Sequence, residues 1–264
     1  MAAIHNEIKS IIIKFRQQLD LILGDKLYGL YLYGSTARGE FEPAASDIDS
    51  IVVLKEPLIE EQIDKLKNLH EILGNKYKYG KKLDVMYLQY SDIGKRNNEI
   101  EKYTYVYNAE LQTSGYFDIN YITWWSLKHN GIPINSPDIT HQLKDILWGQ
   151  VVMTLDYNLN VYWKQKMDEE TLFYEDYWVE FAISTLSRIL YSLEKEKIIS
   201  KTHACHYISD HYDEWDDVIV EALRIRTKVC INAFMGLDQR KERVLSFMKF
   251  VIDKGNRLLL EKVV

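Results

Sequence analysis

The sequence contains little cysteine and lacks any long apolar run. Its 264 residues include two cysteines, Cys205 and Cys230, so the disulfide framework of a small secreted domain is not expected. No run of about 18 apolar residues occurs, which argues against a transmembrane helix. The first residues also lack the basic start and apolar core of a signal peptide. These absences make a cytoplasmic protein the simplest expectation.

Positive charge is also in short supply. The chain carries 33 Lys and Arg residues against 39 Asp and Glu residues, which gives a formal net charge of −6. Because proteins that bind nucleic acids normally present a basic surface, we do not expect a nucleic-acid substrate. The lack of a long apolar run argues against a membrane partner. A cationic small molecule suits this charge better. Both a monomer and a homodimer are compatible with the sequence.

Proline is rare, and its distribution divides the chain. The sequence has four prolines, and none of them follows Pro137. Pro133 and Pro137 interrupt the pattern most strongly, so we place a domain boundary near residues 130–140 and expect domains at 1–135 and 136–264. The second domain shows helical periodicity and is predicted to be an all-α bundle, with helices at 141–163, 175–193, 201–212, 215–234 and 239–261.

The first domain alternates helical and strand-like patterns. Apolar residues at three- and four-residue spacing predict amphipathic helices at 6–23 and 57–73. Short apolar runs predict strands at 27–33, 47–54 and 83–88, and the alternation of Tyr103, Tyr105 and Tyr107 favours a further strand before a turn near Glu110. The expected fold is therefore an α/β domain, a small mixed sheet flanked by helices, followed by the helical bundle.

Two Asp residues stand at the start of the second predicted strand. Asp47 and Asp49 are one position apart, so their carboxylates point to the same face of the strand. Two carboxylates at close range repel, and a divalent cation between them removes that cost. Mg²⁺ is the usual choice when substrate phosphates supply the other ligands. The preceding Gly34-Ser35 turn offers backbone N–H groups and a hydroxyl to a phosphate chain.

Gly34-Ser35, a spacer and Asp47-x-Asp49 resemble the signature of the nucleotidyltransferase superfamily, which has the DNA polymerase β-like fold. The superfamily needs a third carboxylate on a neighbouring strand, and Asp84 is the candidate. The resemblance implies that Asp47, Asp49 and Asp84 hold Mg²⁺ and are catalytic, while Gly34 and Ser35 contact ATP as co-substrate. Asp84 could serve as general base or only as a metal ligand, because the similar aminoglycoside adenylyltransferases commonly have Glu there.

A second stretch is similar to the helical domain of the adenylyltransferases that modify streptomycin and spectinomycin. The similarity lies in residues 186–191 and 197–204. It implies that Arg188 and Lys201 reach across an interdomain cleft to the triphosphate. The alternative is ordinary: an Arg on a helix surface and a Lys in a turn.

An acidic, aromatic segment precedes this stretch. Six acids and no Lys or Arg fall between Asp168 and Glu180, with aromatic residues interleaved. Such a surface suits a polycationic sugar, but acids are also common at a solvated helix start. The drug-binding acid of the similar enzymes aligns with Trp178, so Asp176 and Glu180 are the candidate substitutes beside it.

The sequence therefore predicts an enzyme that transfers AMP from ATP to a hydroxyl of a small molecule and releases pyrophosphate. The favoured acceptor is an aminoglycoside or aminocyclitol antibiotic, which would make the protein a resistance factor. Two alternatives stay open: another acceptor, including a protein hydroxyl, and a nucleotide-binding, antitoxin-like module without catalysis.

Overall fold

A computed structural model describes residues 4–228, 234 and 236–261 of the chain. It contains two compact units, Met1–Leu147 and Trp148–Val264. The first unit is built on a mixed sheet with flanking helices, and the second is largely helical, which confirms the predicted fold class. The first unit reaches Leu147, whereas the sequence places the boundary after residue 135, because residues 132–133 pair with the sheet and Ile139, Leu143 and Ile146 join its core.

The sheet has six described strands: β1 Leu27–Leu32, β2 Ile48–Leu54, β3 Leu83–Gln89, β4 Tyr103–Tyr107, β5 Glu110–Gly115 and β6 Ile132–Pro133. Their order in the sheet is β5-β4-β3-β2-β1-β6. Strands β2 and β3 run parallel, while the β1–β2, β1–β6, β3–β4 and β4–β5 pairs are antiparallel. The three apolar runs that the sequence marks as strands therefore lie side by side as β1, β2 and β3.

Two long helices supply the apolar layer on one face of this sheet. They are α1 (Asn6–Leu23) and α3 (Glu60–Lys76), whose buried residues join those of the strands in one core. Helix α3 begins at Glu60 rather than at Pro57 because the Gln62 side chain accepts a hydrogen bond from the Ile59 N–H, at 3.2 Å, and fixes the helix start. A one-turn helix, α2 (Gly34–Ala37), follows β1 directly.

The opposite face of the sheet has its own core. It contains Ile51 and Val53 of β2 together with Met86 and Leu88 of β3. Helix α4 (Tyr121–Asn130) contributes the fully buried Trp124 to this core. Since side chains alternate along a strand, Asp49 and Asp84 belong to this second face.

The hairpin between β4 and β5 was not predicted from the sequence, which favours a turn near Glu110. The turn instead consists of Asn108 and Ala109, whose φ angles are 53° and 63°. Positive φ at both central residues is typical of the tight turns that match the twist of a hairpin. Strand β5 is an exposed edge strand with little apolar alternation, so its own sequence carries almost no strand signal.

The second unit is a bundle around one central helix. Helix α7 (Asp176–Lys195) has eleven buried residues and packs against the three long helices that follow it. The other helices are α5 (Trp148–Tyr157), α6 (Lys164–Met167), α8 (Lys201–His211), α9 (Asp216–Thr227) and α10 (Leu237–Glu261). A π-helical segment, Asn158–Trp163, joins α5 to α6.

Two predicted helices of the bundle have different limits. The helix expected at 141–163 begins only at Trp148, because the residues before it pack on the first unit's sheet. The helix expected at 215–234 ends at Thr227, and residues 229–233 of that prediction, with Cys230, lie outside the described residues. Across the described part of the chain, none of the helices has the length and apolar character needed to cross a bilayer.

Candidate active site

The pairing of β2 with β3 positions the predicted carboxylates. Asp49 lies directly opposite Asp84 in the parallel register, and Asp47 precedes β2 by one residue. Neighbouring strands are only about 4.8 Å apart, so side chains on the same face at paired positions are neighbours. The structure therefore brings together Asp49 and Asp84, with Asp47 just before the same strand; alternation predicts that Asp47 and Asp49 share a face, and the family resemblance implies a neighbouring Asp84.

The turn after β1 packs closely against the side chain of Asp49. Gly34 has a φ of 65°, and a Cβ atom added to it would lie 2.1 Å from Asp49 Oδ2. The N–H of Tyr33 also donates to the backbone oxygen of Asp49, at 3.1 Å. Only glycine allows this conformation and this approach, so Gly34 lets the carboxylate of Asp49 lie directly against the turn that carries Ser35.

The loop that leads to Asp47 is held by its own polar contacts. Lys82 donates from Nζ to the backbone oxygens of Pro43 and Ser46, at 3.3 and 3.1 Å. The Ser46 hydroxyl accepts from the Glu42 N–H, at 2.9 Å. These hydrogen bonds hold the loop against the start of β3 and so fix the position of Asp47.

The electrostatics of the site centre on Asp84. Its side chain is 7% exposed, and burial, with the negative charges of Asp47 and Asp49, raises its pKa to about 8. The Asn108 N–H, 3.4 Å from Oδ1, acts in the opposite direction, and the charge of Asp118 adds to the rise. A buried carboxyl among like charges is the environment in which a bound cation gives the largest relief.

The donor chemistry of these carboxylates fits a magnesium ion that is shared with a substrate. In the described residues, no group of three or more His, Cys, Asp or Glu side chains is arranged to hold a metal ion by itself. Mg²⁺ is usually held by one or two carboxylates, with phosphate oxygens and waters completing its six ligands. Asp47 and Asp49 therefore fit a site that a nucleotide completes, with Asp84 beside it.

A fourth acid, Asp118, was missed by the sequence reasoning. Its Oδ2 accepts a hydrogen bond from the buried hydroxyl of Tyr33, at 3.1 Å, and its Oδ1 lies 3.3 Å from the Asn120 amide nitrogen. Burial, then Asp118 and Asp49, hold the pKa of Tyr33 well above its usual value, so the phenol stays a donor. The only sequence signal here is Asn120, which caps α4 and is typical of any helix start.

In the second unit, the two predicted phosphate ligands lie on neighbouring helices. Arg188 is half-buried on α7, and Lys201 is the first residue of α8. The Ser200 hydroxyl caps α8 by accepting from the His203 N–H, at 3.2 Å. Lys201 Nζ lies 4.7 Å from the ring centroid of Phe181, a cation–π distance.

The predicted acceptor-binding residues are grouped at the start of α7, and their charges are already matched. Asp176 forms an ion pair with Arg240 at 2.6 Å, and Glu180 forms one with Arg226 at 2.8 Å. Trp178 has Lys166 Nζ 5.1 Å from its ring centroid. A cationic acceptor at Asp176 or Glu180 would have to compete with an arginine, and the role of these three residues stays a prediction.

Known proteins resemble this chain in part of its sequence and in its fold. A family model described as a nucleotidyltransferase domain matches residues 10–107, which include Gly34, Ser35 and all three predicted catalytic Asp residues. A protein of Methanocaldococcus jannaschii named "putative protein adenylyltransferase" is 34% identical over 80 residues, 30% of this chain and 74% of the relative. The residues that the family model matches all lie in the first unit.

A solved structure extends the likeness over nearly the whole chain. The spectinomycin adenyltransferase of Enterococcus faecialis, crystallised with ATP and spectinomycin, superposes with a TM-score of 0.66. The match covers 91% of this chain and 98% of that one, at 19% sequence identity. At this identity the likeness concerns the fold, which both chains share from the sheet through the helical part.

Proposed function

Because this chain belongs to the nucleotidyltransferase family, we propose that it is a Mg²⁺-dependent adenylyltransferase. It transfers AMP from ATP to a hydroxyl of a cationic small molecule and releases pyrophosphate. The acceptor class that we propose is an aminoglycoside or aminocyclitol antibiotic.

The observation that carries this proposal is the arrangement at the ends of β2 and β3. Asp49 and Asp84 face each other in the parallel register, and the Gly34 turn lies against the carboxylate of Asp49. A nucleotide whose phosphates follow the Gly34-Ser35 turn would have its phosphate chain beside these carboxylates. In this proposal Asp84 activates the nucleophile and the Gly34-Ser35 turn binds the phosphates, and their closeness supports it because positioned groups lower the entropic cost of the reaction.

The reaction that we propose forms one P–O bond and breaks another. The acceptor oxygen attacks the α-phosphorus of ATP, the bond between the α-phosphorus and the bridging oxygen breaks, and pyrophosphate leaves with that oxygen. Asp84 takes the proton of the acceptor hydroxyl, for which a buried carboxyl with a raised pKa is suited. When bound by Asp47 and Asp49, Mg²⁺ supplies positive charge that offsets the charge of the phosphate oxygens.

Four further residues are proposed to contact the nucleotide. Gly34 and Ser35 offer backbone N–H groups and a hydroxyl to the β- and γ-phosphates. Arg188 and Lys201 supply positive charge to the departing pyrophosphate, a role supported by their resemblance to the adenylyltransferase stretch. Helix α2 has a single turn, so local N–H groups rather than a long helix dipole would carry the binding at Ser35.

The acceptor class has support of a more general kind. The fold of the spectinomycin enzyme covers 91% of this chain, and the net charge of −6 favours cationic ligands. We propose that Asp176, Trp178 and Glu180 border the acceptor, with their ion pairs to Arg240 and Arg226 rearranging on binding. The cost of that exchange favours acceptors that carry more than one positive charge.

A second acceptor is favoured by one specific observation. The relative that is 34% identical over 80 residues, and that the match covers to 74%, is named a protein adenylyltransferase. A protein hydroxyl is therefore the alternative acceptor, with the same chemistry at Asp47, Asp49 and Asp84.

The test is pyrophosphate release by the purified protein with ATP and Mg²⁺, with and without a panel of streptomycin, spectinomycin and other aminoglycosides. We expect release that depends on one drug and is lost in the Asp47→Asn/Asp49→Asn double variant. The Asp64→Asn variant is the matched control, because it removes an exposed acid on α3, which belongs to the core on the other face of the sheet. Labelling of proteins by radioactive ATP, without any drug-dependent release, would replace the antibiotic by a protein acceptor.

A further inference from the structure

A groove lies on the second unit, between α5 and the end of α10. Its volume is 890 Å³, and the residues that line it all belong to the second unit. Apolar side chains form much of its wall: Val152 and Met153 come from α5, and Leu259 and Leu260 come from α10. Met153 is 58% exposed and Leu260 is 70% exposed. Large apolar side chains that are exposed within one groove are typical of a surface that another molecule covers.

The π-helical segment determines which charged residues of the helix reach this groove. With α5 and α6 it forms one continuous helix over residues 148–167, which we call the α5–α6 helix. The backbone hydrogen bonds of a π-helix span five residues instead of four, so two turns that include such a segment take about eight residues rather than about seven. Asp156 and Lys164 are eight residues apart and both line the groove, as does Glu196 at the end of α7. The α5–α6 helix therefore presents one charge of each sign to the groove.

Neither Asp156 nor Lys164 forms an ion pair with any residue that the structure describes. Two helical turns, about 11 Å, separate them along the helix. The Asp156 carboxylate accepts a hydrogen bond from the Asn160 amide, at 2.6 Å, which orients it and leaves its charge in place. The same amide donates to Asn256 on α10, at 2.7 Å, so the floor of the groove is fixed between the two helices. The groove therefore offers two exposed charges of opposite sign at fixed positions.

We propose that this groove is the interface of a homodimer, in which the α5–α6 helices of two chains pack antiparallel about a two-fold axis near Asn160. Asp156 and Lys164 lie four positions before and after Asn160, so this axis brings Asp156 of each chain opposite Lys164 of the other. Two identical ion pairs form, and the apolar walls of the two grooves cover each other. A two-fold interface must be self-complementary, and an apolar face with one charge of each sign meets that requirement. The inference concerns assembly and does not depend on the proposed reaction.

The experiment measures the molar mass of the full chain by sedimentation velocity over a range of protein concentrations. The variants are Asp156→Lys, Lys164→Asp and the double variant Asp156→Lys/Lys164→Asp. An equimolar mixture of the two single variants is measured as well. The matched control is Asp210→Lys, which makes the same charge change at an exposed acid on α8 that does not line the groove. Circular dichroism verifies that each variant keeps the helical content of the wild type.

We expect a concentration-dependent dimer for the wild type and for Asp210→Lys. Each single reversal sets like charges opposite each other twice in the dimer, so the dissociation constant of the dimer should rise about 100-fold or more. The double variant restores both ion pairs with their signs exchanged, and its dissociation constant should lie within about ten-fold of the wild-type value. The mixture of the two single variants should form a heterodimer, because one chain then presents two positive charges and the other presents two negative charges.

Three results would overturn this inference. A wild-type protein that stays monomeric at every concentration leaves the groove to a different occupant, such as a small ligand. A dimer whose dissociation constant in the single variants equals that of Asp210→Lys has its interface elsewhere. If the single variants are monomers and neither their mixture nor the double variant dimerises, Asp156 and Lys164 do not face each other across the axis. None of these results affects the pyrophosphate assay, so the proposed function is tested separately.

Discussion

Two buried carboxyl groups, one in each unit, have opposite environments. Asp84 on β3 is 7% exposed, and burial and its acidic neighbours raise its pKa to about 8. Glu221 on α9 is 3% exposed, and although burial acts to raise its pKa, Arg224 and Arg240 more than offset this and lower it. The arginines contact Glu221 at distances between 2.8 and 3.0 Å.

The opposite pKa shifts of Glu221 and Asp84 distinguish a structural ion pair from a site that a bound cation would stabilise. Glu221 has its countercharge built into the fold, so the bundle gains nothing there from a further cation. Asp84 lies among like charges, and this arrangement costs folding free energy unless a cation or a proton is supplied. Comparing the two carboxyls therefore indicates which part of the molecule is organised for stability and which for chemistry.

The largest stability effect is expected at Glu221. Replacing Glu221→Gln leaves the buried guanidinium of Arg240 with less negative charge, and we expect a loss of about 3 kcal/mol in the free energy of unfolding. Urea denaturation followed by circular dichroism measures it. The control Glu214→Gln, at an exposed acid just before α9, should change the same quantity by less than about 0.5 kcal/mol. Equal effects for both variants would mean that the Arg–Glu pair is not structural.

Asp84→Asn should raise the free energy of unfolding, whereas Glu221→Gln should lower it. The folded-state pKa of about 8 lies above the ordinary 3.8, so the folded protein binds more protons than the unfolded chain between these values. Without Mg²⁺, the free energy of unfolding of the wild type therefore falls as the pH rises from 4 to 8. Asp84→Asn should remove this decline and gain on the order of 2 kcal/mol at pH 8 while abolishing turnover. An unchanged pH profile in urea denaturation would contradict the description of Asp84 given above.

The turn that carries Gly34 shapes the carboxylate site. Gly34→Ala combines a positive φ with a Cβ atom 2.1 Å from Asp49 Oδ2, so Asp49 or the turn must move. We expect a loss of about 1–2 kcal/mol in stability from the φ angle and a weakened affinity for Mg²⁺-ATP from the displaced carboxylate. Gly24→Ala is the matched control, since Gly24 also has positive φ but no atom within 4 Å of an added Cβ. Only Gly34→Ala should weaken nucleotide binding, as measured by calorimetry.

The smallest effect is expected at a cation of the bundle. If Lys201 binds the pyrophosphate group, Lys201→Gln should raise the KM for ATP by about ten-fold, the value of one charged hydrogen bond. Lys195→Gln is the control, because Lys195 also lies over an aromatic ring, Tyr207, at 5.4 Å. Similar KM values for both variants would remove Lys201 from the nucleotide site.

Much of the catalytic unit follows from the sequence because strand alternation is a strong local signal. The two-residue period predicts that Asp49 shares a face with Ile51 and that Asp84 shares one with Met86. That Asp84 lies beside Asp49 was implied by the family resemblance. The fold class followed from strand alternation, together with the helical periods of α1 and α3. In β2, β3, α1 and α3, the residues that the sequence pattern places on the apolar face are the ones that pack in the core.

Other features depend on contacts between distant residues and left no local signal. Strand β5 is set by the positive φ angles of Asn108 and Ala109, which nothing in its own alternation reveals. Asp118 reaches the site through Tyr33, 85 residues earlier in the chain. The arginines that pair with Asp176 and Glu180 lie on helices that follow α7. The sequence of the acidic segment therefore does not show that these acids have basic partners.

We propose that the carboxylates at the starts of β2 and β3 hold the metal–nucleotide complex. The most direct measurement is calorimetric titration of Mg²⁺ with a non-hydrolysable ATP analogue into the wild type and into Asp47→Asn/Asp49→Asn. Circular dichroism would verify that both are folded. We predict binding by the wild type and an affinity about 100-fold weaker in the double variant, which loses two charged ligands. Equal affinity in the two proteins would contradict the account.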